Sequence, residues 1–337
     1  MIGGYGNWRD HASIALLRKF LTTREIEGRI LCVLSSTAIL EGVLPSPPEQ
    51  IDGWARTAGD GSKPWLWPQK DHYDVAILRL PKAKRDLEMC SHLAFSSLQA
   101  GCPLWVYGAN DEGIRSAEKS LSLLTESVTT AAYGGRCRVL EAITSSRANF
   151  KDELSDWESW IKVDLPSLKR DWVSYPGVFA DGRVDAGTEV LINALPKIPI
   201  NSKALDFGCG SGLVGGAISL KEKSVRVDFL DVDLLALEAV KKNIPGAKVI
   251  ASDGYSKLDG SQYDLIVSNP PYHQGKSWSE DFIRAMVVNG VSHLNADGKL
   301  VFVVQRRLQL EGLLSSCFNT VEVLADRGVY RVWSATL

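Results

Sequence analysis

Charge of one sign is what this sequence most plainly lacks. It carries 38 Lys and Arg against 40 Asp and Glu, a formal net charge of −2. The molecule as a whole is therefore no polycation built for bulk nucleic-acid affinity, and any such surface must be local. Paired cysteines are missing too. Cys32, Cys90, Cys102, Cys137, Cys209 and Cys317 stand singly, without the close spacing of a zinc site or the density of a disulfide scaffold. No metal is expected, and a reducing cytoplasm suits such a chain. The opening MIGGYGNWRDH has no basic-then-apolar leader, and no apolar run approaches the length of a bilayer span. Neither export nor a membrane is implied. What is present, 337 residues of which 45% are hydrophobic, suits a soluble chain with room for about two domains.

In the C-terminal half, short apolar strands alternate with helix-like segments, the pattern of a parallel sheet covered on both faces. ALDF (204–207), VRVDFLDVD (225–233), KVIASD, YDLIVSN and KLVFVVQ read as strands, and LLALEAVKKN and 279–294 as helices. The tail TVEVLADRGVYRVWSATL reads as two strands turning at Asp326-Arg327-Gly328. This predicts an α/β, doubly wound, seven-stranded and mostly parallel sheet closed by an antiparallel hairpin. In such sheets ligands sit beyond the carboxyl ends of the strands. The first strand leaves through Asp206-Phe-Gly-Cys-Gly-Ser-Gly212, where glycines let the backbone turn sharply and approach a ligand. Asp206, Gly208, Cys209 and Gly210 are candidates to hold it. Asp231 with Val232, or Asp233, ends the second strand, where a carboxylate can accept from both ribose hydroxyls of an adenosine. Asp253 with Gly254 ends the third.

The fourth strand ends in Ser268-Asn-Pro-Pro-Tyr-His273. Two prolines remove two backbone donors and hold the chain extended, leaving a rigid corner rich in acceptors. A conjugated amine or amide nitrogen attacks poorly until its N–H groups are hydrogen-bonded and oriented. The Asn269 side-chain oxygen and the Pro270 carbonyl can accept them. Pro271 stiffens the corner, Tyr272 offers a flat face for a planar substrate, and His273 either orients that substrate or caps the loop.

The loop is D-x-G-x-G-x-G, not the dinucleotide or nucleoside-triphosphate pattern. With the corner, it resembles the class I S-adenosylmethionine-dependent methyltransferases over about 177–337. Tyr175-Pro-Gly-Val-Phe-Ala180 and Val184-Asp-Ala-Gly-Thr188 lie upstream. Together with SNPPYH they resemble the ribosomal RNA guanine-N2 methyltransferases, in particular the small-subunit 16S type. There a G-V-F-S and an L-D-x-G-S/T segment precede the loop and the corner reads N-P-P-F-H. The resemblance implies that Phe179, Asp185, Gly187 and Thr188 wall the cofactor site. Ala180 and Tyr272 depart from the pattern. Tyrosine at that place is shared with adenine-N6 and glutamine methyltransferases, so an adenine-N6 RNA enzyme, a large-subunit guanine-N2 enzyme and a protein glutamine methyltransferase stay open. A noncatalytic RNA-binding assembly factor is the reading from another class.

The N-terminal half echoes this pattern. Tyr73-Asp-Val-Ala-Ile-Leu-Arg-Leu-Pro-Lys82 aligns with Tyr263–Tyr272, and Ile30–Ala38 with Ala204–Gly212, implying two tandem domains of one type. In the copy Cys32 replaces Asp206, Leu34 replaces Gly208, Ser36 replaces Gly210, Ala38 replaces Gly212, and Arg79-Leu80 replaces Asn269-Pro270. The resemblance, extended by Pro81–Lys84 and Val106–Glu118, implies a methyltransferase-like domain without cofactor. The expected organisation is a degenerate domain at 1–145, a packed connector at 146–172 whose tryptophans wedge between domains, and a catalytic domain at 173–337. Lys82, Lys84 and Arg85, and Arg306 and Arg307 after the fifth strand, are candidate RNA contacts. The expected partner of this monomer is ribosomal RNA or the small ribosomal subunit.

Overall fold

The computed structural model describes residues 8–57, 67–143, 150–165, 167–178, 183–270 and 276–337. The chain divides into two compact units, with the boundary in sequence between Glu158 and Ser159. The first unit contains α1 (Trp8–Leu21), β1 (Arg29–Val33), β2 (Gln50–Trp54), β3 (Val75–Arg79), α2 (Lys84–Ser97), β4 (Pro103–Ala109), α3 (Ile114–Leu121), β5 (Ser127–Gly134) and β6 (Cys137–Ile143). Its sheet runs β2-β1-β3-β4-β6-β5.

The second unit opens with a separate hairpin, β7 (Ser159–Leu165) and β8 (Leu168–Ser174). There follow α4 (Ala186–Ala194), β9 (Lys203–Phe207), α5 (Leu213–Lys221), β10 (Arg226–Asp231), α6 (Leu234–Asn243) and β11 (Lys248–Ala251). β12 (Tyr263–Ser268), α7 (Lys276–Gly290), β13 (Leu294–Gln305), α8 (Glu311–Cys317), β14 (Thr320–Arg327) and β15 (Tyr330–Thr336) complete it. The seven-stranded sheet runs β11-β10-β9-β12-β13-β15-β14. β9 to β13 are parallel, and β15 is antiparallel to both its neighbours. Central strands such as KALDF and YDLIVS are buried almost throughout, as expected where helices cover both faces.

Without β11, the two sheets have one strand order. The likeness extends to single hydrogen bonds. Tyr73 Oη donates to Asp52 Oδ2 at 2.9 Å, and Tyr263 Oη to Asp228 Oδ2 at the same distance. Asp74 accepts from the Arg29 backbone N–H at 2.8 Å and from Gln99 Nε2 at 3.0 Å. Asp264 accepts from the Lys203 N–H at 2.8 Å and from Asn295 Nδ2 at 2.7 Å. Both units share one strand plan, and these polar ties fix the same strand entries in each.

Two elements shift from the sequence reading. The helix expected at 279–294 is α7, which starts earlier and ends in a 3-10 turn at Val291–His293. The terminal hairpin turns at Gly328-Val329, because Arg327 still pairs with Tyr330. Gly328, with φ of 59°, supplies the left-handed backbone that a two-residue turn requires.

The stretch expected as one connector divides. Leu154–Trp157 is a 3-10 turn in the first unit, where Trp157 is buried edge-on against His92. From Ser159 the chain belongs to the second unit. Trp160 is 64% exposed, whereas Trp172 is fully buried. Trp172 is the support beneath the glycine loop. Its Nε1 donates to the Ser211 carbonyl at 2.9 Å, and its ring lies where a Cβ on Gly216 would come within 2.6 Å. Buried Asn243 strengthens the support. Its Nδ2 donates to the Val173 and Ser211 carbonyls and its Oδ1 accepts the Val173 N–H. Asn243→Ala leaves those buried backbone groups short of a partner and should cost about 2–4 kcal/mol of stability, measured by chemical denaturation. A change within about 0.5 kcal/mol would show that this support is dispensable.

Candidate active site

The loop after β9 turns through three left-handed glycines, Gly208, Gly210 and Gly212, at φ of 67°, 53° and 85°. The N–H groups of Gly208 and Cys209 donate to the Leu230 carbonyl, which ties the loop to β10. Gly210 N–H donates to Asp231 Oδ2 at 2.8 Å, and Asp233 N–H to Asp231 Oδ1 at 2.9 Å. Asp231 thus holds the loop with Oδ2 and the start of α6 with Oδ1, and a carboxylate oxygen can accept more than one hydrogen bond, a ligand hydroxyl's included. Asp233 caps α6 by accepting the Leu235 N–H.

Asp206 is almost wholly buried. Its Oδ2 accepts the Gly215 N–H at 2.8 Å, an approach that needs glycine, since a Cβ there would lie 2.4 Å from Phe229. Burial pushes the Asp206 carboxyl up to about 8, against the Gly215 N–H, with the Asp231 charge adding to the rise. Burial likewise raises Asp231 to about 6. The Cys209 thiol is pushed well above its ordinary value by burial, which disfavours the thiolate.

Across the loop stands Asn269, just past β12. Ser268 Oγ ties that strand end to the Phe207 carbonyl at 2.8 Å. Asn269 Nδ2 donates to Asp185 Oδ2 at 3.0 Å and to Thr188 Oγ1 at 2.8 Å. Asp185 also caps α4, its Oδ2 accepting the Thr188 N–H. A small cleft lies here, lined by Thr188, Asp206, Gly208, Cys209, Gly210 and Asn269. Sequence reasoning pointed to all six. It missed Ser211, Leu213 and Val214, which also line the cleft. Their signal was available, since a glycine loop entering a helix exposes that helix's first turn.

A family model described as methyltransferase small domain matches residues 169–334, and one described as methyltransferase small domain N-terminal matches 63–160. The ribosomal RNA small subunit methyltransferase C of Shewanella amazonensis is 30% identical over 272 residues, 80% of this chain and 79% of that protein. The chain belongs to this family. The protein of the same description from Pectobacterium atrosepticum is 31% identical, covering 78% of this chain and 74% of its own. A solved structure of similar fold is the T. thermophilus 16S rRNA N2 methyltransferase in complex with AdoMet and guanosine. It is 22% identical, with a TM-score of 0.83 over 99% of this chain and 93% of that one.

The AdoMet in that solved structure is S-adenosylmethionine. The residues present fit that group. The glycine loop offers a close backbone approach, and a buried carboxyl at its head gains most from a cationic amino group. The remaining candidates are placed as follows. Val232 is 36% exposed beside Asp231, and Asp253 is exposed two residues beyond β11 with Gly254 following at φ of 57°. Neither pair lines the cleft among the described residues. Gly187 is buried under Tyr330, whose ring would lie 3.1 Å from a Cβ there. Sequence reasoning had no signal for Tyr330. Pro270 is buried. Phe179, Pro271, Tyr272 and His273 lie outside the described residues.

Arg306, a candidate RNA contact, is held in an ion cluster. It pairs with Asp326 at 2.5 Å, and Asp326 also binds Arg331 at 2.9 Å. The two guanidiniums hold the Asp326 carboxyl below its ordinary range. Arg307 is exposed, as are Lys82, Lys84 and Arg85 at the start of α2 in the first unit. In that unit Arg79 stands at the place of Asn269 and is engaged by Asp10 and Glu112, each at 2.7 Å. Leu34, at the place of Gly208, keeps the left-handed turn at φ of 52° and the bond to the next strand, to the Trp54 carbonyl at 2.8 Å.

A protonated Asp206 must ionise to meet a cation, so cofactor binding should release a proton. Affinity should therefore rise with pH from about 6 to about 8, by at most about tenfold per pH unit, and level off above. Calorimetry in buffers of different ionisation heat measures both effects. Flat affinity with no proton release would show that Asp206 is not the counter-charge.

Proposed function

We propose that this chain transfers a methyl group from S-adenosylmethionine to the exocyclic N2 amine of a guanine in small-subunit 16S ribosomal RNA. The observation that carries this reading is Asn269 beside the glycine-loop cleft, in a chain whose relatives are small-subunit rRNA methyltransferases along both units. Bound S-adenosylmethionine supplies an electrophilic sulfonium methyl. Asn269 Oδ1 and the Pro270 carbonyl accept the amine's N–H bonds and turn its lone pair toward the cleft, while Tyr272 stacks the base turned out of its helix. No strong general base is needed, because the nitrogen sheds its proton once the new bond has formed. Asp206 holds the donor's cationic end, and Asp231, with Val232, Asp253 and Gly254 nearby, its adenosine end. Phe179, Gly187 and Thr188 wall the site, and Pro271 and His273 meet the base.

With net charge near zero, RNA affinity must come from local cations. We assign this to Arg307 and the Lys82, Lys84 and Arg85 group, with Arg306 held in place by Asp326. The first unit is read as a domain without cofactor, its loop glycines replaced and Arg79 neutralised in an ion cluster. The chain acts as a monomer in the cytoplasm, on the small ribosomal subunit. No described helix is long and apolar enough to cross a membrane.

Labelled cofactor offered to hypomethylated small subunits, naked rRNA and a glutamine-bearing peptide should label only RNA, as N2-methylguanine. N6-methyladenine would overturn the guanine assignment, and labelled peptide the RNA reading. Asn269→Ala should lower turnover about a hundredfold or more with cofactor affinity nearly intact. Arg307→Ala should raise the RNA Michaelis constant and flatten its salt dependence. Titration of the full chain should give one S-adenosylmethionine per chain, whereas two would show that the first unit keeps a site.

A further inference from the structure

We propose that Asp185 and Thr188 are positioning residues for methyl transfer, holding the Asn269 carboxamide in one orientation so that its oxygen faces the substrate amine. This rests on the reading of Asn269 as acceptor given above. A carboxamide has two ends of nearly equal size, one that accepts and one that donates. Flipped, Asn269 would present an NH2 to an amine whose own N–H bonds need acceptors. Pro270 and Pro271 stiffen the backbone but have no hold on the side-chain torsion that decides the flip.

That torsion is held from another element. Both donors of Asn269 Nδ2 are taken, by Asp185 Oδ2 at 3.0 Å and Thr188 Oγ1 at 2.8 Å. An ionised carboxylate only accepts, so the pair with Asp185 admits the nitrogen and rejects the oxygen. Asp185 is itself held. Its Oδ2 accepts the Thr188 N–H at 3.1 Å, and a Cβ on Gly187 would lie 2.9 Å from that oxygen and 3.1 Å from Tyr330 Cε1. The absent side chain at 187 is what lets carboxylate, helix start and tyrosine ring meet. The Asp-Ala-Gly-Thr segment thus does more than wall a cofactor. It reaches across more than eighty residues of sequence to set the acceptor at the corner.

Asp185→Asn separates this role from simple support. Asparagine caps a helix as well as aspartate, so α4 is preserved, but it can donate as well as accept and so permits the flip. Single-turnover methylation of hypomethylated small subunits at saturating cofactor should slow about ten- to a hundredfold, with the cofactor dissociation constant changed less than about threefold. In an Asn269→Ala background the same substitution should add no further loss, since two residues acting through one group are not additive. Full rate in Asp185→Asn, losses that multiply in the double variant, or a loss confined to cofactor affinity would each overturn the proposal. A readout independent of substrate is the Asn269 side-chain NH2 correlation in ¹⁵N NMR, identified by its disappearance in Asn269→Ala. It should be slow to exchange in the unsubstituted chain and should move and exchange faster in Asp185→Asn. An unmoved signal sinks the latch. A moved signal, in a chain that methylates none of the offered acceptors, supports the latch and overturns only the substrate reading.

Discussion

A buried carboxylate sets the terms for the second unit. Asp206 lies at the end of the central strand β9, nearly closed to solvent and bound by one backbone N–H. Leaving a lone carboxyl there is costly unless a cation arrives or a proton stays. Much of the surrounding sequence follows from that group. Gly215 must lack a side chain for its N–H to reach the acid, and Phe229 fills the space so created. The Ser211 carbonyl, in the same loop, is pinned by Trp172 and Asn243, which holds the loop in place beside the acid. A ligand that brings a positive charge offsets that cost.

The two units show which constraints belong to folding and which to chemistry. The tyrosine-to-aspartate bond and the aspartate that receives the first strand's N–H recur in both. They satisfy buried polar groups where parallel strands begin, and any copy of this sheet needs them. At the opposite, carboxyl ends the copies diverge. Leu34 keeps a left-handed turn that costs a leucine energy, and keeps the strand bond, yet puts a side chain where the glycine loop leaves room. Arg79 replaces an acceptor with a cation and is neutralised by Asp10 and Glu112. The shared polar ties are local to the sheet, whereas the arrangement at the carboxyl ends needs several loops to agree.

Charge near the cleft follows a similar division. A pair of arginines after the fifth strand reads from sequence as two equivalent cations. Folding brings the hairpin's Asp326 to Arg306 and leaves Arg307 exposed, because β15 runs antiparallel to β13 and sets the hairpin turn beside that strand's end. Adjacent residues thereby acquire different electrostatic roles.

What the sequence determined alone were features whose signal is local. Alternating apolar runs and helical periods specified a doubly wound sheet and its terminal hairpin. Glycines, acids and the two prolines at successive strand ends marked the candidate site, because strand ends in a parallel sheet all open on one side. The duplicated strand motifs disclosed the second unit. What only tertiary structure decided were partnerships between distant segments. Trp172 passed for part of a connector until its indole met Ser211, and Asp185 and Thr188 for a cofactor wall until they met Asn269. The boundary fell at Ser159 because a hairpin with no distinctive composition packs on the second unit. Composition and spacing specify which groups a segment can offer. Which distant donor meets which acceptor depends on strand order and packing, and these exist only once the chain has folded.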